Sequence, residues 1–287
     1  MNQIIIYTVI SLVAIGAGAA VILYFVAKLF RTEEDPRIEV VEKALPGANC
    51  GGCGYPGCRN FAEVLVRSES FDGLFCPVGG NETMAAVASI LGREAIEQEP
   101  RVAVVRCNGT PEFRSLKTHY EGAPTCAIAH SLYAGEGGCP YGCLGLGDCV
   151  AVCKFDAIQM NPVTGLPEVM DDKCTACGAC VDACPRGIIE LRKKNKKDRK
   201  IYVSCINEEK GATAKKNCAV ACIGCSLCFK ACPYEAITMN NNLAFIDSDK
   251  CKLCRKCVPV CPTNAILEIG FPPRKTEPVE KVADSSQ

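Results

Sequence analysis

Three stretches of this chain repeat one arrangement of cysteine: Cys174-x2-Cys177-x2-Cys180-x3-Cys184-Pro185, Cys222-x2-Cys225-x2-Cys228-x3-Cys232-Pro233 and Cys251-x2-Cys254-x2-Cys257-x3-Cys261-Pro262. Thiols so close along a chain are poorly placed to pair with each other and well placed to converge on one metal centre. Three such thiolates hold a cubane iron–sulfur cluster, and in two-cluster modules the fourth cysteine reaches the companion cluster. The chemistry implied is one-electron transfer.

Composition excludes the competing uses of so much cysteine. The chain has 24 cysteines in 287 residues, and only His119 and His130 as histidines. Disulfide frameworks belong to short secreted domains, and zinc sites favour Cys-x-x-Cys pairs with histidine admixed. Iron ligation requires reduced thiols, so the cysteine-rich part is expected in a reducing cytosol. Lys plus Arg and Asp plus Glu both number 32, which gives no case for nucleic-acid binding. Tryptophan is absent and aromatic residues make up 6%; small domains organised around clusters, whose binding free energy substitutes for apolar burial, fit that balance.

Elements must place these thiols. The first unit, Cys50-x2-Cys53-x4-Cys58 followed by Cys76, is rich in glycine (Gly47, Gly51, Gly52, Gly54, Gly57), allowing tight turns around a cluster. Helices are expected over Asn60 to Arg67 and Met84 to Ile96, and a short strand over Val102 to Val105. Downstream, four half-modules each run from a cysteine loop into an apolar pair: Ala157-Ile158, Ile188-Ile189, Ala236-Ile237 and Ala265-Ile266. That is the duplicated pattern of a two-cluster ferredoxin, present twice. Cross-ligation then groups Cys139, Cys143, Cys149 and Cys184 on one cluster, with Cys174, Cys177, Cys180 and Cys153 on its companion. In the second module, Cys222, Cys225, Cys228 and Cys261 form one set, and Cys251, Cys254, Cys257 and Cys232 the other. The first half-module departs from the pattern, with stretched spacings and Lys154 where the others carry proline. Cys107, Cys126, Cys205 and Cys218 are left over, so arithmetic allows a sixth cluster beyond about five [4Fe–4S] clusters. The basic run Arg192 to Lys200 reads as a solvated linker or as a docking surface for an acidic partner or anionic lipid.

Ile4 to Ala27 is uncharged and mainly apolar. As a helix it spans about 36 Å, enough for a hydrocarbon core of about 30 Å. Met1-Asn2-Gln3 lacks the basic start of a signal peptide, and Lys28 with Arg31 places the following part in the cytoplasm. Small residues four apart, Ala14 with Gly18 and Gly16 with Ala20, offer a face for a partner helix.

The expected class is α+β: one N-terminal transmembrane helix, a small cysteine-rich 4Fe–4S domain and two two-cluster ferredoxin-like modules. The boundaries are helix 1–27, hinge 28–35, N-terminal cluster domain 36–96, connector 97–138, module one 139–191, basic linker 192–216, module two 217–270 and a disordered tail 271–287. No G-x-G-x-x-G after a strand, no P-loop and no nucleophile–base pairing accompanies them. The chain thus reads as a wire, with the chemistry on its partners and no catalytic residue of its own.

The segment Asn49-Cys50-Gly51-Gly52-Cys53-Gly54-Tyr55-Pro56-Gly57-Cys58, the later Cys76, the N-terminal helix and the downstream modules together resemble the B-type iron–sulfur family of Rnf complexes. The extra ferredoxin module is similar to that of longer, anaerobe-type members. The resemblance implies a component, at the bacterial cytoplasmic membrane, of a translocase that moves electrons from reduced soluble ferredoxin to NAD and exports Na+ or H+. Flavin-bearing and multi-helix membrane partners would carry the remaining chemistry. A membrane reductase without ion coupling, or a cluster-based redox sensor, are the alternatives.

Overall fold

The computed structural model describes residues 2–29, 35–132, 135–195 and 197–274. Helix α1 (Asn2–Leu29) is mainly apolar, and its Ile5–Leu29 stretch is long and apolar enough to cross a membrane. Among the described residues nothing buries it, and no atom lies within 4 Å of a Cβ placed at Gly16 or Gly18. Lys28 is in its last turn. Arg31 and most of the expected hinge, and the tail from residue 275 on, lie outside the described residues.

Three helices follow: α2 (Pro36–Ala44), α3 (Cys58–Arg67) and α4 (Gly80–Leu91). Asp35 caps α2 by accepting from the Arg37 amide at 2.9 Å, and Pro36 supplies the preset φ of a first helical turn. Ile38, Val41, Phe61, Leu65, Met84 and Val87 interlock between the three. Each contributes about 1.5–3 kcal/mol of burial relative to exposure. Helix α4 ends five residues before the Ile96 expected from its apolar pattern. Gly92 turns left-handed (φ 65°), and the Arg93 amide folds back on the Ala88 carbonyl, a Schellman closure.

Beyond lie strand β1 (Arg101–Val105), helices α5 (Cys126–Leu132) and α6 (Asp148–Ala151), strands β2 (Ile158–Met160) and β3 (Pro167–Val169), helix α7 (Ala179–Asp182) and strand β4 (Ile189–Lys193). The rest comprises β5 (Lys200–Val203), α8 (Gly211–Asn217), α9 (Leu227–Ala231), β6 (Ile237–Asn240), β7 (Leu243–Ile246) and β8 (Ile266–Ile269). All pairing is antiparallel and two-stranded: β1 with β4, β2 with β3, β5 with β8 and β6 with β7. Each module therefore has an inner hairpin and an outer pair closed by a strand that precedes its first cysteine loop.

That outer pair moves two of the expected boundaries. The expected connector contributes β1, paired from Arg101↔Lys193 to Val105↔Ile189, so module one begins before residue 139. The expected basic linker contributes β5 and the end of β4, because an unpaired closing strand would leave its backbone groups unmet. The ends of the basic run are accordingly buried. Arg192 donates to the Ile201 and Ile246 carbonyls, and Lys200 Nζ sits 2.6 Å from both carboxylate oxygens of Asp171. Only its middle resembles a solvated linker.

Candidate metal centre

The cysteine loops share a backbone signature that composition does not display. In each regular run the residues flanking the second cysteine are left-handed: Ala176 and Gly178, Gly224 and Ser226, Leu253 and Arg255. A third left-handed residue falls three places after each fourth cysteine, at Asp156, Gly187, Glu235 and Asn264. For a non-glycine residue this conformation costs about 1–2 kcal/mol, so seven such positions in one repeated pattern mark a constraint on the loops. The reversal turns amides toward sulfur. Ala157 N donates to Cys153 Sγ at 3.4 Å and Ala265 N to Cys261 Sγ at 3.3 Å. In the first unit Gly52 N approaches Cys50 Sγ at 3.5 Å and Gly79 N approaches Cys76 Sγ at 3.4 Å.

The same signature identifies what is unusual in the first half-module. Gly145 and Gly147 are its left-handed pair. The residue between them, in the slot of the second cysteine, is Leu146. Cys143, Cys149 and Cys153 thus hold the first, third and fourth places, and the second thiol must come from elsewhere. It comes from α5. Asp148 accepts from the amides of Cys126 (2.8 Å) and Ala127 (3.0 Å), capping that helix and pinning its first residue beside Cys149.

The cavities follow. Cys153, Cys174, Cys177 and Cys180 surround one, and Cys222, Cys225, Cys228 and Cys261 another, each the set expected from sequence. Cys126, Cys143, Cys149 and Cys184 line a third, where Cys139 had been expected. Cys139 instead lines a fourth with Cys107, Cys205 and Cys218, and Cys143 forms the wall between the two. Cys126 therefore does not join the other three leftover thiols. Cys251 lies within electrostatic range of Cys232 and Cys254, Cys257 of Cys251 and Cys254, and Cys76 of Cys50 and Cys53. Cys58 packs on the same core as Cys53 and Cys76.

All 24 thiols are free. Burial pushes Cys143, Cys180, Cys205 and Cys257 up to about 12 and Cys149 and Cys228 up to about 11. These are not thiols activated as nucleophiles; ionising them requires a bound cation. Among the described residues no three His, Cys, Asp or Glu side chains converge on a single ion. A zinc site would draw its sulfurs to about 2.3 Å from one metal. Four sulfurs spread around a cavity and met by amides fit a cubane instead. Such a group supplies one-electron uptake and release, tuned by hydrogen bonds to its sulfurs and by exposure.

The sites stand in series. Gly52 presses on the backbone of Cys177, and Lys154 Nζ donates to the Asn49 carbonyl at 2.9 Å, joining the N-terminal unit to module one. Cys180 faces Cys149 across the next gap. Cys228 faces Cys257 in module two. Between the modules, Arg106, the residue after β1, donates to the carbonyls of Val203 and Cys205 and to Glu190.

A family model for an Fe-S cluster matches residues 45–73. One for a 4Fe-4S dicluster domain matches residues 138–188 and 221–265, and one for a 4Fe-4S double cluster binding domain matches residues 173–235. The B component of the Na(+)-translocating ferredoxin:NAD(+) oxidoreductase complex of Acetobacterium woodii is 46% identical, over 88% of this chain and 73% of its own length. The B component of the ion-translocating oxidoreductase complex of Methanosarcina acetivorans is 39% identical over 93% and 99%. The B component of the proton-translocating ferredoxin:NAD(+) oxidoreductase complex of Clostridium ljungdahlii is 40% identical over 94% of each chain.

Proposed function

The chain belongs to the family of B components of ion-translocating oxidoreductase complexes, and from that premise we propose that it takes electrons from reduced ferredoxin and passes them to partner subunits that reduce NAD and export Na+ or H+. The observation that carries this reading is the series of cysteine sites. Five sets hold the relay: Cys50, Cys53, Cys58 and Cys76; Cys153, Cys174, Cys177 and Cys180; Cys126, Cys143, Cys149 and Cys184; Cys222, Cys225, Cys228 and Cys261; Cys232, Cys251, Cys254 and Cys257. Amides aimed at four of these sulfurs supply hydrogen bonds of the kind that tune a cluster's potential.

Exposure favours module two as the entry point. Cys225 and Cys254 are the exposed cysteines, and both belong to module two. A soluble donor reaches sulfur there more closely than in module one, whose cysteines are half-buried or buried. Helix α1 anchors the other end, and Lys28 at its last turn favours the cytoplasmic side for everything that follows. Its exposed face of small residues awaits a membrane partner.

Two experiments test this. Anaerobic titration of the purified chain with reduced ferredoxin bleaches its visible absorption if the donor is right; an unchanged spectrum removes ferredoxin from the scheme. Affinity capture from native membranes brings down flavin-bearing and multi-helix subunits. Capture of a lone soluble reductase would favour electron feeding without ion coupling.

A further inference from the structure

We propose that Cys107, Cys139, Cys205 and Cys218 form a sixth cubane-binding site, one that takes ligands from both ferredoxin modules and completes the series between them. All four line one cavity. Cys143 also borders it, but its place two residues before left-handed Gly145 commits it to the neighbouring loop.

The cavity is built for sulfur. Asn207 is fully buried, and it serves two of the four thiols: its amide N donates to Cys205 Sγ and its side-chain Nδ2 to Cys139 Sγ, both at 3.4 Å. Cys143 N donates to Cys107 Sγ at 3.4 Å. A Cβ on Gly109 would sit 3.4 Å from Cys218 Sγ and 3.7 Å from Cys107 Sγ, so a bare backbone separates these two ligands. Arginines hold the carbonyls behind the sulfurs, Arg186 at Cys139 (3.1 Å) and Arg106 at Cys205 (3.1 Å). Arg114 lines the same space with its Nε buried and unmatched. Cationic walls suit a cubane with four thiolates, which carries net negative charge. Thiols kept only for packing would fill space; these four surround it.

The connector exists in its shape to assemble this site. Arg114 bridges to Cys218, Ala219 N donates to the Phe113 carbonyl at 2.8 Å, and Leu116 bridges to Gly137 beside Cys139. An irregular stretch thus zips Cys107, Cys139 and Cys218 together. Position supplies the purpose, which rests on the relay reading although the ligand chemistry does not. Cys143 faces Cys107 on one side and Cys205 faces Cys222 on the other. Without a centre here, module one and module two are joined by protein alone.

The test is iron stoichiometry with spectroscopic pairing, on the full chain prepared anaerobically. Six sites predict about 24 irons per chain and five predict about 20. Cys139→Ser and Cys218→Ser should each remove about four irons and abolish the same electron-paramagnetic component, while Cys126→Ser abolishes a different one. A wild-type content of about 20 overturns the sixth site even if no variant folds, and leaves the five-site relay standing. Loss of the same component from Cys139→Ser and Cys126→Ser would also overturn it, because both would then serve one centre. A content near eight would sink the relay itself.

Discussion

Gly52→Ala is the smallest change that tests whether the sites work in series. A Cβ at Gly52 would lie 2.7 Å from the Cys177 carbonyl oxygen and 2.9 Å from its Cβ. Comfortable carbon contacts begin at about 3.5 Å, so one backbone must retreat by about 0.7 Å. Neither partner is a flexible side-chain tip: both belong to cluster loops fixed by left-handed residues. Overpacking of this kind costs about 1–3 kcal/mol, a fivefold to 150-fold loss in the docking equilibrium at about 1.4 kcal/mol per factor of ten. No cysteine is touched, so iron content should hold at the wild-type value. Magnetic interaction between the first site and its neighbour should weaken, and freeze-quenched samples should show the first site reduced more slowly than the rest. Lys154→Met removes the second tether, a charge-assisted hydrogen bond of 2.9 Å, and should have the same signature without steric strain. If Gly52→Ala leaves both the magnetic coupling and the order of reduction unchanged, electrons do not cross this junction.

Three further outcomes follow from individual contacts. Cys126→Ser should cost about four irons, and Leu146→Cys in the same chain should restore them by refilling the second slot; failure to restore would refute the loop alignment. Asp148→Ala uncaps α5, worth about 1 kcal/mol, and should make that one cluster the first to bleach in an anaerobic urea series. Arg106→Met leaves the carbonyls of Val203 and Cys205 without their donor in a buried seam. A loss of about 2–4 kcal/mol is expected, read as faster anaerobic bleaching in denaturant, with full iron at the start.

The three regular runs were legible because each local rule agreed with the others: spacing, a following proline and an apolar pair leading into a strand. In two of those runs the cysteines that spacing groups together line one cavity each. The first half-module was misread because sequence spacing counts cysteines, whereas the loop counts backbone reversals. Gly145 and Gly147 frame Leu146 as Ala176 and Gly178 frame Cys177, and aligning glycines rather than cysteines would have revealed the vacant slot. Cys126 was out of reach for a different reason. Its placement depends on a carboxylate 22 positions away in the chain, and no periodicity encodes such a contact. The closing strands β1 and β5 were hidden likewise, one inside an apparent connector and the other behind a run of lysines, because their partners lie far along the chain.

Leu29 ends the apolar helix and Asp35 caps the next. Even drawn straight, so short a leash reaches about 20 Å. With α1 set in a bilayer, the bundle carrying Cys50, Cys53, Cys58 and Cys76 would be confined to a thin layer beside the lipid, whatever the rest of the chain does. Charge arriving there would then pass to neighbours lying in or on that surface, so geography alone narrows the set of receivers.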